Sequence, residues 1–284
     1  MAADAVGAAS GGGAEAFAPN GWVTLTSDFG LRDGYAGMMK GVMATLQPGL
    51  RFIDLSHDLA AQDVRSAAFL LWQAVPCFAA GTVHLAVVDP GVGSERAAVV
   101  VVAGGHALIG PDNGLLWPAV QRLGGGEWRR IENRAWRREP FSRTFHGRDL
   151  FAPAAARLAG GAAPVEVGPL HPCPVRLEWP RPHPCGPAAW EGEVLAIDRF
   201  GNAVTNLCPG DLGIAETAAV WVLVGDARAR GLAACYREAP PNTPFALVGS
   251  AGLIEIAVRE GNAASALGLC RGSRVCLETG TNDR

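Results

Sequence analysis

The sequence lacks the marks of several functional classes. No CxxC pair occurs and the seven cysteines are irregularly spaced, which argues against a disulfide framework and for a reducing compartment. Lys and Arg number 24 against 27 Asp and Glu, a formal net charge of -3. No segment gathers the basic residues as a nucleic-acid groove requires. No apolar run approaches the ~20 residues that cross a bilayer; candidates such as 97–104 are strand-length and end in glycines. Residues 1–19, mostly Ala and Gly, lack the positive start and apolar core of a secretory signal and are expected to form a disordered tail. The expectation is a cytoplasmic protein with neither nucleic-acid nor membrane partners.

Several chemical motifs are missing too. No GxGxxG follows the first expected strand and no GxxxxGK[ST] exists, so the glycines after Asp89 make a poor dinucleotide or phosphate loop. Asp28, Asp89, His146 and Asp198 carry metal-type donors, but there is no HExxH, no His pair at helical spacing and no DxDxDG loop; no metal is expected. Two His-Pro-Cys units, His171 to Cys173 and His183 to Cys185, have zinc-type donors at unusual spacing. The stretch 169–187 around them holds seven of the 20 prolines, which reads first as an extended linker.

What is present suits a globular protein: 284 residues, 49% hydrophobic, enough for one large domain or two modest ones. Between 22 and 170, short apolar runs at 22–26, 51–55 and 82–88 alternate with helical patterns at 33–46 and 63–75, the signature of βα units and a parallel sheet. Asp33 and Asp63 are expected to cap the two helices. From 190 onward, β-forming runs at 193–197, 219–224, 245–248, 253–258 and 274–277 are broken by Gly, Asn and Pro. The expected fold class is α/β: a Rossmann-like N-terminal α/β domain over 20–170, a Pro-rich linker over 171–189, and a smaller all-β, barrel-like domain over 190–280.

Ligands of open α/β sheets bind beyond the carboxyl ends of the strands. There the sequence places Ser27-Asp28-Phe29-Gly30, Ser56-His57-Asp58 and Asp89 through Arg96, followed by Pro111-Asp112-Asn113-Gly114 and His146-Gly147-Arg148-Asp149 at a helix start. Asp28 and Asp58 could be turn or cap residues, and 111–114 is good turn chemistry in its own right. A histidine such as His146 is more often structural than catalytic. The functional reading rests on convergence, because carboxylates, an arginine and a histidine fall at one sheet edge.

Taken in order, TSDFG at 26–30, IDLSHDL at 53–59, GTVHLAVVDPGVGSER at 81–96, GPDNGL at 110–115, TFHGRDLFAPAAARL at 144–158, IDRFGN at 197–202 and EIAVREGNAA at 255–264 resemble the SAM hydroxide adenosyltransferases, adenosine-forming hydrolases of S-adenosyl-L-methionine (SAM) related to the fluorinase and chlorinase enzymes. The resemblance implies hydrolysis of SAM to adenosine and L-methionine without a cofactor. It also implies a homotrimer whose sites draw on the N-domain of one subunit and the C-domain of the next. It puts a water-activating set on Asp89, Arg96 and His146; by their chemistry His146 and Asp89 are expected to take or orient the protons of water, and Arg96 to hold hydroxide-like charge and fix the carboxylate. By the same resemblance Asp28 holds the ribose hydroxyls, Asp198 the methionine ammonium and Ser250 the methionine carboxylate. Asn202 reads the adenine edge, Ala263 offers backbone groups to the base, and Phe200 and Tyr236 flank the nucleoside. The halogenases have a stacking Trp where this chain has Gln62, so adenine packing must differ there. A halide-dependent SAM adenosyltransferase and a non-catalytic SAM- or adenosine-binding protein are the alternatives.

Overall fold

The computed structural model describes residues 17–214, 220–225 and 227–279. The tail expected over 1–19 lies outside the described residues up to position 16, as does residue 219 of the strand expected over 219–224. Phe17 already packs on the N-terminal core, and the Asn20 side chain donates to the Ala80 carbonyl at 3.0 Å. The chain divides into two compact units between Leu177 and Glu178.

The N-terminal unit contains β1 (Trp22–Ser27), α1 (Tyr35–Leu46), β2 (Arg51–Ser56), α2 (Val64–Ala74), β3 (Val83–Val87), β4 (Ala98–Ala103), β5 (His106–Pro111), α3 (Trp117–Arg122), β6 (Glu127–Arg130) and α4 (Ala152–Ala159). Its six strands run in the order β2-β1-β3-β5-β4-β6. Both faces of the sheet are covered, and the period-two alternation of a strand divides consecutive residues between two cores. In β4, Ala98 and Val100 join Met39, Met43 and Leu158 in one core, whereas Val99 and Val101 join Leu71, Leu108 and Leu116 in the other.

The sheet is mixed rather than wholly parallel. Neighbours are parallel from β2 through β5, but β4 pairs antiparallel with both β5 and β6. Gly104 and Gly105 explain the reversal. Their φ angles of 51° and 76° form a two-residue hairpin that closes on the Ala103–His106 pair, a geometry that residues with a Cβ resist.

One expected cap is present and the other is absent. Asp63 accepts from the Ser66 backbone N–H at 3.1 Å and from its hydroxyl at 2.7 Å, an arrangement worth about 1 kcal/mol. Asp33 caps nothing: α1 starts at Tyr35, behind Gly34, with no side-chain cap. Its entry is set instead by ring contacts of Tyr35 with Phe29 and Phe145, at 5.7 and 5.1 Å between centroids.

The C-terminal unit contains β7 (His183–Gly186), β8 (Ala189–Ile197), β9 (Ala203–Thr205), β10 (Val220–Val224), β11 (Ala227–Arg230), β12 (Pro244–Val248), β13 (Ile254–Val258), α5 (Ala263–Leu267) and β14 (Arg274–Thr279). The strands run β11-β10-β14-β8-β9-β13-β12, with β7 also on β8, and all these pairs are antiparallel. A bridge between Ala233 and Leu247 draws the two ends of that path together into a nearly closed, barrel-like sheet. Val194, Val222, Ile254, Ile256, Val275 and Leu277 fill its interior. Among the described residues no helix is long and apolar enough to cross a membrane.

Candidate active site

The loops after β1, β2 and β3 and the segment leading into α4 converge on a cavity of about 640 Å³ lined by Asp28, Gln62, Asp89, Phe145 and His146, among others. Behind the cavity wall, Arg96 ties two of these residues together. Its Nε donates to both Asp89 oxygens at 3.0 and 3.1 Å, and its Nη2 donates to Asp89 Oδ2 and, at 2.8 Å, to His146 Nδ1. Asp89 and Arg96 are only 5% and 11% exposed, so the ion pair is largely shielded from water. Arg96 does not line the cavity, and its guanidinium lies 5.3 Å from the Phe151 ring centre.

This geometry fixes the state of His146. A guanidinium has no acceptor, so Nδ1 must present its lone pair to Arg96 and the neutral ring carries its proton on Nε2. Burial is the main cause that lowers the His146 pKa below its ordinary 6.5. The Arg96 charge adds to it, and Asp89 opposes both. The imidazole is therefore held neutral near pH 7. His146 leads into a π-helical turn, Gly147–Phe151, that continues as α4; such turns recur at functional sites.

Asp28 is positioned from two directions. Its Oδ2 accepts from the Gln62 backbone N–H at 2.7 Å, and Gln62 holds a φ of 65°, unusual for a residue with a side chain. On the other side, Ser27 Oγ contacts His57 Nδ1 at 2.6 Å and accepts from the Phe29 N–H at 3.3 Å, while the Gly30 N–H donates to the His57 carbonyl at 2.7 Å. His57 Nε2 lies 3.1 Å from Asp54 Oδ1 but is misaligned for a hydrogen bond, so that contact is electrostatic. Burial acts to raise the Asp54 carboxyl, but Lys40 at 2.6 Å and His57 outweigh it and hold the carboxyl below its ordinary pKa. The Ser27–His57–Asp54 chain is not visible as a sequence motif, although Ser27 and His57 belong to the SDFG and SHD segments and Asp54 lies just ahead of the latter.

The remaining expected residues belong to the C-terminal unit. Asp198 Oδ1 accepts from the N–H groups of Phe200 and Asn202 at 2.9 and 2.8 Å, and Oδ2 accepts from the Asn202 side-chain amide at 2.9 Å. The carboxylate thus organises the 198–202 turn and engages the amide nitrogen of Asn202, leaving its amide oxygen for other contacts. Gly201 is required in that turn: its φ is 85°, and a Cβ there would lie 2.1 Å from Asn262. The Ala264 N–H donates to the Gly201 carbonyl at 2.9 Å, which brings the buried Ala263 beside the turn. Phe200 is 75% exposed. Tyr236 donates to Glu255 at 2.8 Å, and burial together with Glu255 pushes its phenol up to about 12. Ser250 is exposed in the turn between β12 and β13. Glu255 was not expected; its sequence signal is a lone carboxylate inside the apolar run Ile254–Val258.

Among the described residues no group of three or more His, Cys, Asp or Glu could hold a metal ion. The two His-Pro-Cys units part company at the unit boundary. His171 Nε2 pairs with Asp112 at 2.7 Å in the first unit, and His183 lies 3.7 Å from Glu191 in the second.

Comparison with known proteins finds relatives along most of the chain. The model of the SAM hydroxide adenosyltransferase N-terminal domain matches residues 23–168, and that of the C-terminal domain matches 192–276. A protein from Thermus thermophilus named (R)-S-adenosyl-L-methionine hydrolase is 43% identical over 90% of this chain and 98% of its own. One of the same name from Salinispora tropica is 41% identical over 93% of this chain and 100% of its own. A solved structure of a conserved protein from Thermotoga maritima superposes with a TM-score of 0.84 at 32% identity, covering 90% of this chain and 99% of that one.

Proposed function

Because the chain belongs to the SAM hydroxide adenosyltransferase family, we propose that it hydrolyses SAM to adenosine and L-methionine by displacement at the ribose C5′. The observation that carries this reading is the Asp89–Arg96–His146 set, whose two outer members line the same cavity as Asp28. In the reaction the oxygen of water bonds to C5′, the C5′–sulfur bond breaks, and its electron pair neutralises the sulfonium. A thioether leaves readily, so the demand falls on the nucleophile, which must be aimed in line from about 3–3.5 Å. His146 donates its Nε2–H to the water oxygen and fixes it, and Asp89 accepts the proton that water releases. Arg96 acts through both as a positioning residue. Asp28 takes the ribose hydroxyls.

Asp198, Phe200, Asn202, Tyr236, Ser250 and Ala263 supply the methionine and adenine contacts in this reading. No cofactor takes part. We further propose a cytoplasmic homotrimer whose site combines the N-terminal unit of one subunit with the C-terminal unit of the next. Support for this comes from the division of the expected contacts between two units. Mixing inactive His146→Ala and Asp198→Ala subunits should then restore part of the activity, and an active monomer in light scattering would refute the composite site.

The deciding experiment is incubation with SAM in ¹⁸O-labelled water containing chloride and a chelator. Both sulfonium epimers should be tried, since the relatives are named for the (R) form. The label is expected in the 5′-hydroxyl of adenosine and not in methionine. A 5′-halonucleoside would instead mark a halide-dependent transferase, unchanged SAM a binding protein, and loss of activity with chelator a metal requirement.

A further inference from the structure

The N-terminal unit has a second concavity of about 520 Å³ formed by α1, the 137–138 segment, the π-helical turn and α4. Its lining is apolar at Met38, Val42, Leu46 and Pro153, and cationic at Arg137, Arg138, Arg148 and Arg157. One carboxylate answers these four charges. Asp149, fully buried, accepts from Arg148 at 2.7 and 2.9 Å and lies 3.5 Å from Arg138. Arg157 donates to the Ala135 carbonyl at 2.7 Å. Neither Arg157 nor Arg137 forms an ion pair among the described residues, and the Nε of each is buried without an acceptor. Like charges gathered on one wall repel, and an anion in the concavity relieves that repulsion.

We propose that this concavity binds a small polyanion with an apolar portion, and that its occupancy regulates the neighbouring catalytic site. Planar guanidinium forks suit phosphate and carboxylate oxygens, the apolar lining suits a hydrocarbon or ring, and the volume is within the range of small-molecule sites. The regulatory half rests on the function proposed above. Arg148 lines both cavities. Arg137 stands among the charges that act on His146: Arg96 and Arg137 oppose protonation of the ring, while Asp89 and Asp149 favour it. An anion on Arg137 cancels one of the two opposing charges, so His146 takes up a proton more easily and the acid limb of activity moves to higher pH.

The test is calorimetric titration of the full chain at low ionic strength with pyrophosphate, ATP and citrate, with saturating adenosine present to occupy the catalytic cavity. Binding tighter than about 1 mM is expected for at least one probe. ATP binding more tightly than pyrophosphate would report use of the apolar lining, and citrate binding alone would identify the carboxylate class. R137Q/R157Q should weaken binding at least tenfold and R157K by less, with thermal melts confirming that both variants fold. No binding by any probe, or equal binding by the double variant, overturns the site. Regulation is read separately from kcat/KM against pH with saturating anion, and an unmoved acid limb overturns it. A protein inactive on SAM would refute the catalytic reading while the calorimetry still decided the binding site.

Discussion

Replacing Arg96 by Met tests the central geometry most directly. The substitution keeps much of the side-chain volume but removes every donor that holds Asp89 and His146 together. Asp89 is 5% exposed, so its carboxylate would remain shielded from water without a counter-charge, a situation that costs about 3–5 kcal/mol. At roughly 2–4 °C per kcal/mol for a unit of this size, the melting temperature should fall by about 6–20 °C. Arg96→Met combined with Asp89→Asn should recover part of that loss, because no charge is then left unpaired, and the double-mutant cycle gives the coupling. The pH profile supplies a second reading. Removing Arg96 removes a charge that opposes His146 protonation and leaves Asp89, which favours it. The acid limb of any residual kcat/KM must therefore move to higher pH. A variant within 1 kcal/mol of wild type in urea, in line with an ordinary surface substitution, would refute the shielded ion pair. A limb that stayed put or moved down would refute the assigned state of His146.

Three further outcomes follow from single side chains. His146→Ala should lower kcat by about 10²–10³ with SAM binding retained, and His146→Asn, whose amide can still donate, should lose less; the reverse order in steady-state kinetics would argue against the donor role. Asp28→Ala should weaken adenosine binding by more than tenfold, since charge-assisted hydrogen bonds are worth about 1.5–3 kcal/mol each, and unchanged affinity in calorimetry would remove Asp28 from the ribose. His84, bonded to Thr24 at 2.8 Å and beside His106 at 3.2 Å, is lowered to about 3 chiefly by burial. The unfolded chain therefore takes up its proton first as pH falls. Stability from this group is complete above 6.5 and declines toward about 3, at up to about 1.4 kcal/mol per pH unit. Urea unfolding at pH 7 and 5 should show a shallower decline in His84→Leu, and equal declines would refute the assignment.

The sequence made the local signals legible where one element carried them. The cap at Asp63 and the alternation of apolar runs with helical patterns needed no partner to be read; strand ends pointed to Asp28 and Asp89, and a helix start to His146. What depended on pairing was hidden. The reversal of β4 is present as Gly104-Gly105, but its effect on a parallel expectation shows only once β5 folds back. Thr24, His84 and His106 stand on three strands and meet through register alone. Ser27, His57 and Asp54 likewise join across β1 and β2. The cap expected at Asp33 is absent, and Tyr35 at the helix start packs instead on the nearby Phe29 and on Phe145, more than a hundred residues away in sequence. Residue type made Arg96 a candidate, but which side of the cavity wall it occupies is a matter of packing.

The π-helical turn at Gly147–Phe151 also bears on how this scaffold can change. A π turn closes its hydrogen bonds one residue later than an α turn, so the segment between His146 and α4 carries one residue more than a regular helix would use. Deleting one residue there would restore ordinary α-helical register without breaking the helix. Because the wider turn absorbs the extra residue, the side chains on either side would keep their facing, and the imidazole would still meet Arg96. A single codon lost from this stretch would thus be tolerated by the site, whereas the same loss within the regular helix α4 would rotate everything ahead of it by about 100°.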